Sequence, residues 1–182
     1  MTNTSENQEF SYELKIPQER IAVLIGTNGE TKKEIESTMH VNLEITPEGE
    51  VAITGHDAVT LFTAREIVRS IGRGFNPKIA LQLAKSDYAL EIIDISDLAG
   101  KNKNMMEPLK GRVIGKGGKS REEIERLTET HISIYGKTIG IIGEISQVSI
   151  ARQAVAMLVE GSMHKTVYHF LEKKKKEMMF GG

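Results

Sequence analysis

Apolar and polar residues follow one another along this chain in blocks that predict the same order of elements twice. From Phe10 to Ile16 the two kinds alternate residue by residue, which is typical of a strand with one buried face. Two helical blocks follow around a pair of glycines, and Asp57 is a suitable N-cap for a later, longer helix. The first half is predicted to contain a strand at 10–16, helices at 19–25 and 31–39, strands at 41–45 and 51–54, and a helix at 57–71.

The second half repeats this order after a boundary at 72–77, where glycine and proline interrupt the pattern. Residues 78–84 predict a short connecting helix, and 97–104 a polar insertion that the first half lacks. Ser120 and Glu123 form a capping-box pattern at the start of a helix. The predicted elements are a strand at 88–95, helices at 105–114 and 120–130, strands at 131–135 and 138–142, a helix at 145–163, and a terminal stretch with four lysines at 173–176.

The repetition extends to individual residues. Gly26-Thr27-Asn28-Gly29 recurs 89 residues later as Gly115-Lys116-Gly117-Gly118. Two units of about 70 residues indicate a duplicated domain rather than a solenoid. The alignment by residue identity continues through Ile35-Glu36 against Ile124-Glu125, His40 against His131, and Ala64-Arg65 against Ala151-Arg152.

These patterns predict an α+β protein of two domains with the element order β-α-α-β-β-α, followed by a helical extension. The predicted boundaries are a disordered tail at 1–9, a first domain at 10–74, a linker with a short helix at 75–86, a second domain at 87–163, and a C-terminal helix and basic tail at 164–182.

The glycine pair between two helices is the candidate binding element. Glycine has no Cβ, so a sugar–phosphate chain can approach the backbone closely, and the following helix directs its N-terminal N–H groups and positive dipole end toward that chain. A single G-x-x-G carries little weight, and Gly140–Gly143 is a third match that we discount because it lies in a strand-like run. Apolar residues beside each loop and on the following strand could wall a groove for unpaired bases.

On these residues the chain resembles tandem type I KH domains, in which a three-stranded antiparallel sheet packs against three helices and the groove holds about four nucleotides. Gly111–Ser120, Ile139–Gly143, Ala151-Arg152 and the long final helix resemble the two-KH assembly factor of the small ribosomal subunit in archaea and eukaryotes. The intact first G-x-x-G favours an archaeal-type member. The resemblance implies binding to the 3′ end of precursor small-subunit rRNA, with a PIN-domain endonuclease and pre-ribosomal proteins as further partners.

The RNA-contacting residues are predicted from the loops, from nearby cations that could reach phosphates, and from apolar groove residues. Both copies depart from the KH pattern where the family usually has isoleucine, since Lys32 and Arg121 stand there. The alternative interpretations are that the glycines form only a structural turn and that these two cations are solvated. The predicted set is Gly26, Thr27, Asn28, Gly29, Lys32, Lys33, Arg112, Ile114, Gly115, Lys116, Gly117, Gly118, Lys119, Arg121, Ile132 and Ile134.

Composition modifies this interpretation in three ways. The net charge of −1 hides an asymmetry, because residues 1–74 carry 7 Lys/Arg against 12 Asp/Glu and residues 75–182 carry 17 against 13, so the second unit is expected to attract phosphates more strongly. The chain has no cysteine and no apolar run of about 20 residues, which favours a cytoplasmic location and no membrane partner. Aromatic residues make up 5% and tryptophan is absent, which argues against an aromatic stacking platform.

Several alternatives remain open at this level. The chain could be a KH protein of transcription elongation or RNA degradation, or a protein scaffold whose grooves are vestigial. Nucleotide hydrolysis is disfavoured, because the Gly-Lys-Ser at 118–120 has Val113 where a phosphate-binding loop requires glycine. The histidines lack metal-ligand spacing, so no metal, cofactor or catalytic residue is predicted. The lysines at 173–176 are either a solvated helix end or a phosphate clamp.

Overall fold

The chain forms two compact units that divide between Ser86 and Asp87. The computed structural model describes residues 8–181, so the predicted tail at 1–9 lies almost wholly outside the described residues. Each unit contains a three-stranded antiparallel sheet packed on helices, which confirms the α+β class and the element order predicted from the pattern.

The described residues of unit 1, 8–86, form three strands and four helices. The helix α3 begins where predicted, because the Asp57 carboxylate accepts a hydrogen bond of 2.8 Å from the backbone N–H of Thr60. The elements are β1 (Phe10–Lys15), α1 (Gln18–Ile25), α2 (Glu30–Met39), β2 (Val41–Ile45), β3 (Glu50–Gly55), α3 (Ala58–Gly72) and the short α4 (Pro77–Ala80), which continues as a 3-10 turn at Leu81–Ala84.

The sheet of unit 1 has the order β1-β3-β2, so β2 is an edge strand. Strand alternation sends Leu43 and Ile53 into the core, where both are fully buried, and leaves Asn42 and Glu44 exposed. The helices supply the other side of this core through Leu24, Ile35, Leu61 and Ile67, which are also fully buried.

Unit 2 repeats this architecture and adds two features. An insertion after its first strand forms a short helix and a 3-10 turn, and a further helix follows the last one of the repeat. The elements are β4 (Tyr88–Asp94), α5 (Ile95–Ala99), a 3-10 turn at Lys103–Met105, α6 (Met106–Ile114), α7 (Lys119–Thr128), β5 (His131–Tyr135), β6 (Thr138–Glu144), α8 (Ile145–Val159) and α9 (His164–Phe180).

The added helix α9 belongs to the core of unit 2. The sheet has the order β4-β6-β5, and Ile139 and Ile141 of β6 face the helices. Val167 and Leu171 of α9 join them in one cluster and are 0% and 1% exposed. The single helix predicted at 145–163 was therefore too long, because α8 stops at Val159 and the chain turns through Gly161 at a positive φ of 107°.

The arginine that closes the repeat fastens the edge strand in both units, by different chemistry. In unit 1 the guanidinium of Arg65 lies 5.3 Å from the centroid of the Tyr12 ring on β1. In unit 2 the Nε of Arg152 lies 3.1 Å from a carboxylate oxygen of Glu91 on β4. The position is thus structural, and its partner is a ring in one copy and a carboxylate in the other.

A second arginine in each unit donates to carbonyls at the end of the last helix of the repeat and just beyond it. Arg20 of α1 donates to the carbonyls of Ile71 and Phe75 at 2.8 and 2.9 Å. In unit 2 the equivalent contacts, to the carbonyls of Leu158 and Ser162, are made by Arg112. Arg112 lies near the end of α6, whereas Arg20 lies near the start of α1. The carbonyls at helix C-termini have no partner within the helix. Those of Ile71 and Leu158 accept from the backbone N–H groups of Gly74 and Gly161 at 3.1 and 3.2 Å, and the arginines add a second hydrogen bond to each.

Within residues 8–181 no helix combines the length and apolarity that crossing a bilayer requires.

The N-cap of α3 makes the stability of unit 1 depend on pH. The Thr60 N–H bond lowers the pKa of Asp57, so the cap stabilises the fold above the ordinary aspartate pKa of about 3.9 and is lost as the pH falls through the folded value. We expect wild type to unfold at a higher temperature than Asp57→Ala at neutral pH, with the gap closing in acid. The measurement is thermal unfolding by circular dichroism over that pH range.

Asp57→Asn is the matched control, because asparagine caps helices as well as aspartate does but does not ionise. Its unfolding temperature should stay above that of Asp57→Ala at every pH. A gap between wild type and Asp57→Ala that is constant with pH would contradict the assignment.

Candidate nucleic-acid interface

Two glycine loops, the first at Gly26–Gly29 and the second at Gly115–Gly118, link α1 to α2 and α6 to α7 with the same backbone geometry. Their first glycines have φ and ψ of 75° and 174° for Gly26, and 72° and 174° for Gly115. Their third residues, Asn28 and Gly117, have φ of 54° and 62°. The predicted repeat is therefore a repeat of backbone conformation.

The first glycine of each loop is required on two grounds. Its combination of positive φ with ψ near 174° is a region that glycine alone populates readily. A Cβ on Gly26 would also lie 2.8 Å from the backbone nitrogen of Thr31, and one on Gly115 would lie 2.7 Å from that of Ser120. The last glycines, Gly29 and Gly118, adopt the left-handed helical region, and a Cβ on either would meet only the end of one flexible side chain, at 3.9 Å.

The capping box predicted at Ser120 and Glu123 is wrong. The helix α7 starts at Lys119 with Gly118 as its N-cap, so Ser120 lies in the first turn, beneath Gly115, and is 1% exposed. Its hydroxyl has no hydrogen-bond partner among the described residues. Glu123 instead accepts from Arg126 at 2.6 and 3.0 Å, and this hydrogen bond lowers the pKa of Glu123 and raises that of Arg126.

The cations around the two loops are arranged differently. In the second loop Lys116 and Lys119 are exposed and form no ion pair with any residue in 8–181. In the first loop Thr27 stands where the second has Lys116, and Glu30 stands where it has Lys119. Both helices direct their N-terminal N–H groups at the loop, but only the second adds lysines there.

The other predicted cations of α2 and α7 take different positions. Lys33 is exposed and passes over the last glycine of its loop, its Cε lying 3.9 Å from where a Cβ on Gly29 would be. Lys32 is partly neutralised by Glu36, 3.9 Å away and one turn on. Arg121 is half-buried and pairs with no carboxylate among the described residues. Among its described residues, unit 1 therefore has Lys33 as the unpaired cation beside its loop, on the fourth residue of α2, whereas Lys119 is the first residue of α7.

Arg112 was predicted to contact phosphate, but the structure gives it a different partner. Its Nε donates to the Leu158 carbonyl at 2.7 Å, and a second guanidinium nitrogen donates to the Ser162 carbonyl. The ring of His164 is hydrogen-bonded to the backbone carbonyl of Arg112 at 2.8 Å. The side chain thus fastens the end of α6 to the α8–α9 turn, which the sequence did not indicate because these residues lie about 50 positions apart.

The three predicted apolar groove residues of unit 2 differ in how far they are exposed. Ile132 is 4% exposed and belongs to the core, because strand alternation pairs it with the inward-facing Ile141, so its side chain is not available to a base. Ile134 is half-buried and packs against the same core. Ile114, the last residue of α6, is 37% exposed and directly precedes the second loop.

A glutamate of the repeat fixes the spacing between helix and edge strand in each unit. Glu36 accepts a hydrogen bond of 2.9 Å from the N–H of Leu43, and Glu125 accepts one of 2.8 Å from the N–H of Ile132. Both bonds span seven residues, so the two grooves are held by equivalent contacts. The repeated Ile-Glu was visible in the sequence, but this role was missed.

These bonds also correct the repeat alignment at the edge strand. The offset of 89 continues through α2 and α7, so the counterpart of His40 is Glu129, and both residues have a positive φ of 54° at the helix end. The alignment of His40 with His131 was wrong by two residues. Matching the two histidines predicted an offset of 91 at this position, but the backbone keeps the offset of 89.

Among residues 8–181 no group of three or more His, Cys, Asp or Glu side chains could hold a metal ion. Each loop offers backbone N–H groups beside partly exposed apolar residues, and the second loop adds Lys116 and Lys119. This chemistry suits a phosphate chain with unpaired bases.

Comparison with known proteins matches both units. Residues 11–70 match the family profile described as KH domain, and residues 89–176 match the profile described as eukaryotic type KH-domain, type I. The KH domain-containing protein MJ0443 of Methanocaldococcus jannaschii is 50% identical over 169 residues, which cover 91% of this chain and 74% of that protein. The RNA-binding protein PNO1 of Oryzias latipes is 31% identical over 113 residues, 62% of this chain and 46% of that protein.

Solved structures show the same similarity. A chain in the crystal structure of an a/eIF2alpha–aDim2p–rRNA complex from Pyrococcus horikoshii has a TM-score of 0.87 and 41% identity, covering 94% of this chain and 97% of its own. A protein of unknown function from Aeropyrum pernix has a TM-score of 0.88 and 33% identity, covering 94% of each chain. These matches confirm the tandem KH resemblance inferred from the sequence. The chain spans less than half of the PNO1 proteins it matches.

The two glycines of the first loop should differ in their tolerance of asparagine. Gly29→Asn places asparagine in the left-handed region it accepts well, and its Cβ would meet only the end of the Lys33 side chain, at 3.9 Å. Gly26→Asn forces a conformation that costs a non-glycine residue about 1–3 kcal/mol, and adds a clash with Thr31. We expect a lower free energy of unfolding for Gly26→Asn only, measured by urea denaturation.

Gly111→Ala, in a helix with nothing near the added methyl, is the control for substitution of glycine itself. Equal losses at the two loop glycines would contradict the geometric argument.

Proposed function

Because this chain belongs to the family of tandem type I KH-domain proteins, we propose that it binds single-stranded RNA at the 3′ region of small-subunit rRNA during ribosome assembly. The observation that carries the proposal is the second loop, where left-handed glycine backbone, the N-terminus of α7 and the unpaired Lys116 and Lys119 meet at one exposed place. A phosphate chain is the ligand that such a site attracts.

The names of the relatives support the RNA target. PNO1 of Debaryomyces hansenii is described as a pre-rRNA-processing protein, and the structural neighbour from Pyrococcus horikoshii was crystallised with rRNA. We extend that target to this chain, acting in the cytoplasm without a catalytic step of its own. A PIN-domain endonuclease and pre-ribosomal proteins are the further partners proposed, on the family resemblance alone.

The second unit is proposed to dominate RNA binding. Geometry does not separate the two loops, since their backbone angles agree closely. Charge does, because Glu30 occupies the place of Lys119 and Thr27 that of Lys116. A carboxylate at a helix N-terminus offsets the positive end of the helix dipole, which then attracts a phosphate less strongly. The first loop then holds RNA more weakly, with Lys33 as its nearest unpaired cation.

Gly117→Asp should reduce RNA affinity by about tenfold or more, which corresponds to about 1.4 kcal/mol, because its carboxylate would stand where phosphate lies. The matched control is Gly117→Asn, since Asn28 already occupies the equivalent position of the first loop with φ of 54° against 62°. The measurement is fluorescence anisotropy with a labelled RNA of the small-subunit rRNA 3′-terminal sequence. Unchanged affinity of the aspartate variant would favour a scaffold with vestigial grooves.

Exchanging the charges at the two helix starts should move affinity in opposite directions. Lys119→Glu should weaken RNA binding and Glu30→Lys should strengthen it. The slope of log affinity against log salt should become shallower in the first variant and steeper in the second, by about 0.7 for each phosphate whose neutralisation changes. The same anisotropy titration, repeated at several salt concentrations, checks this. If Glu30→Lys has no effect, the first groove takes no RNA.

Sequencing of RNA crosslinked to the chain in cells separates the ribosomal role from another RNA pathway. Reads concentrated at the 3′ region of small-subunit rRNA are the expected result.

A further inference from the structure

We propose that the outward face of α9 is a second RNA-binding surface, which contacts phosphates of RNA that extends beyond the groove of the second loop. The surface consists of Lys165, His169, Lys173 and Lys176, and is called the α9 stripe here. The inference rests on the proposed function and adds to it a site outside the KH groove.

The stripe begins beside the second loop. His164, the first residue of α9, is hydrogen-bonded to the carbonyl of Arg112, and Arg112 reaches the Ser162 carbonyl just before α9. Gly115 follows Arg112 by three residues, about 4.5 Å along a helix axis. The start of α9 is therefore attached to the last turn of the helix that leads into the loop.

From that point α9 runs back along α8. The Gln147 amide near the start of α8 contacts the Met178 sulfur near the end of α9 at 3.4 Å, while the opposite ends of the two helices meet at the turn around Gly161. The two helices are thus antiparallel. The four stripe residues span 11 positions, about 16 Å along the helix.

The lysines of α9 are sorted by the face they occupy. Helical periodicity places the buried Val167 and Leu171 on one side and the four stripe residues on the opposite side, where all four are exposed. Lys174 and Lys175 lie between these faces and are half-buried. In the run at 173–176 the two outer lysines are therefore exposed, while the two inner lysines are half-buried.

The ion pairs follow the same division. Lys174 is 3.2 Å from Glu177, and Lys175 adds to the effect of Arg126 in lowering the pKa of Glu123 on α7. Lys165, Lys173 and Lys176 form no ion pair within residues 8–181. Glu172 and Glu177 lie one turn from Lys176 and Lys173, but Glu177 pairs with Lys174, and Glu172 forms no ion pair with Lys176.

RNA is the occupant that these observations favour over an acidic protein. A KH groove holds about four nucleotides, so the rest of a longer strand leaves it next to the loop. The α9 stripe starts at the same place and presents three exposed lysines, at 165, 173 and 176, with the His169 ring between the first two. The phosphates of the strand that extends beyond the groove can therefore contact the α9 stripe within the same unit.

The test compares two double variants that remove the same charge from one run of lysines. Lys173→Gln/Lys176→Gln alters the stripe, and Lys174→Gln/Lys175→Gln is the matched control. Each is titrated by anisotropy against two labelled single-stranded RNAs that end in the small-subunit rRNA 3′ sequence, one of about four nucleotides and one several times longer. Circular dichroism verifies that both variants are folded.

Only the stripe variant should lose affinity, and only for the longer RNA. Neutralising two fewer phosphates reduces the salt slope by about 1.4, so the advantage of wild type should shrink about sevenfold between 50 and 200 mM salt. Equal losses of affinity in both double variants would show that only total charge matters, which overturns the inference. No loss in either variant would also overturn it and would favour a protein partner for the α9 stripe. If wild type binds neither RNA, the proposed function itself fails.

Discussion

A backbone conformation that glycine alone adopts readily is the constraint on which both units depend. With φ near 75° and ψ near 174°, Gly26 and Gly115 turn one helix into the next in so little space that the first turn of the second helix lies against them. This turn leaves main-chain N–H groups at an exposed point. The core, the edge strand and its glutamate then hold the rest of the groove at a fixed distance from that point.

The features that could be predicted from the sequence were those set by neighbouring residues or by the internal repeat. Strand alternation, helical periodicity and the Asp57 cap are short-range signals, and the recurrence of the glycine loop at a constant offset gave the domain count. What it did not reveal depends on contacts between distant residues. Arg112 is a cation beside a loop in the sequence, and only folding brings it to the carbonyls of Leu158 and Ser162. Ser120 looked like a cap because the left-handed Gly118 that replaces it leaves no pattern.

The two loops show that geometry and affinity are separate properties of such a fold. The backbone angles of the first loop match those of the second, yet its flanking charges differ in kind and in position. Electrostatic attraction of phosphate acts through those side chains, while the hydrogen-bonding surface acts through the main chain. A duplicated domain can therefore keep its shape while its two copies are used differently.

The participation of α9 in the core has a consequence for how the chain is made. Val167 and Leu171 are as deeply buried as any residue of the sheet of unit 2, so that unit cannot close its interior until they have left the ribosome. Unit 1 contains its own buried residues by Leu83, half a chain earlier. Domains fold as units during synthesis, with the N-terminal one first. A nascent chain thus passes through a stage in which one half is mature and the half with the more basic loop is still incomplete.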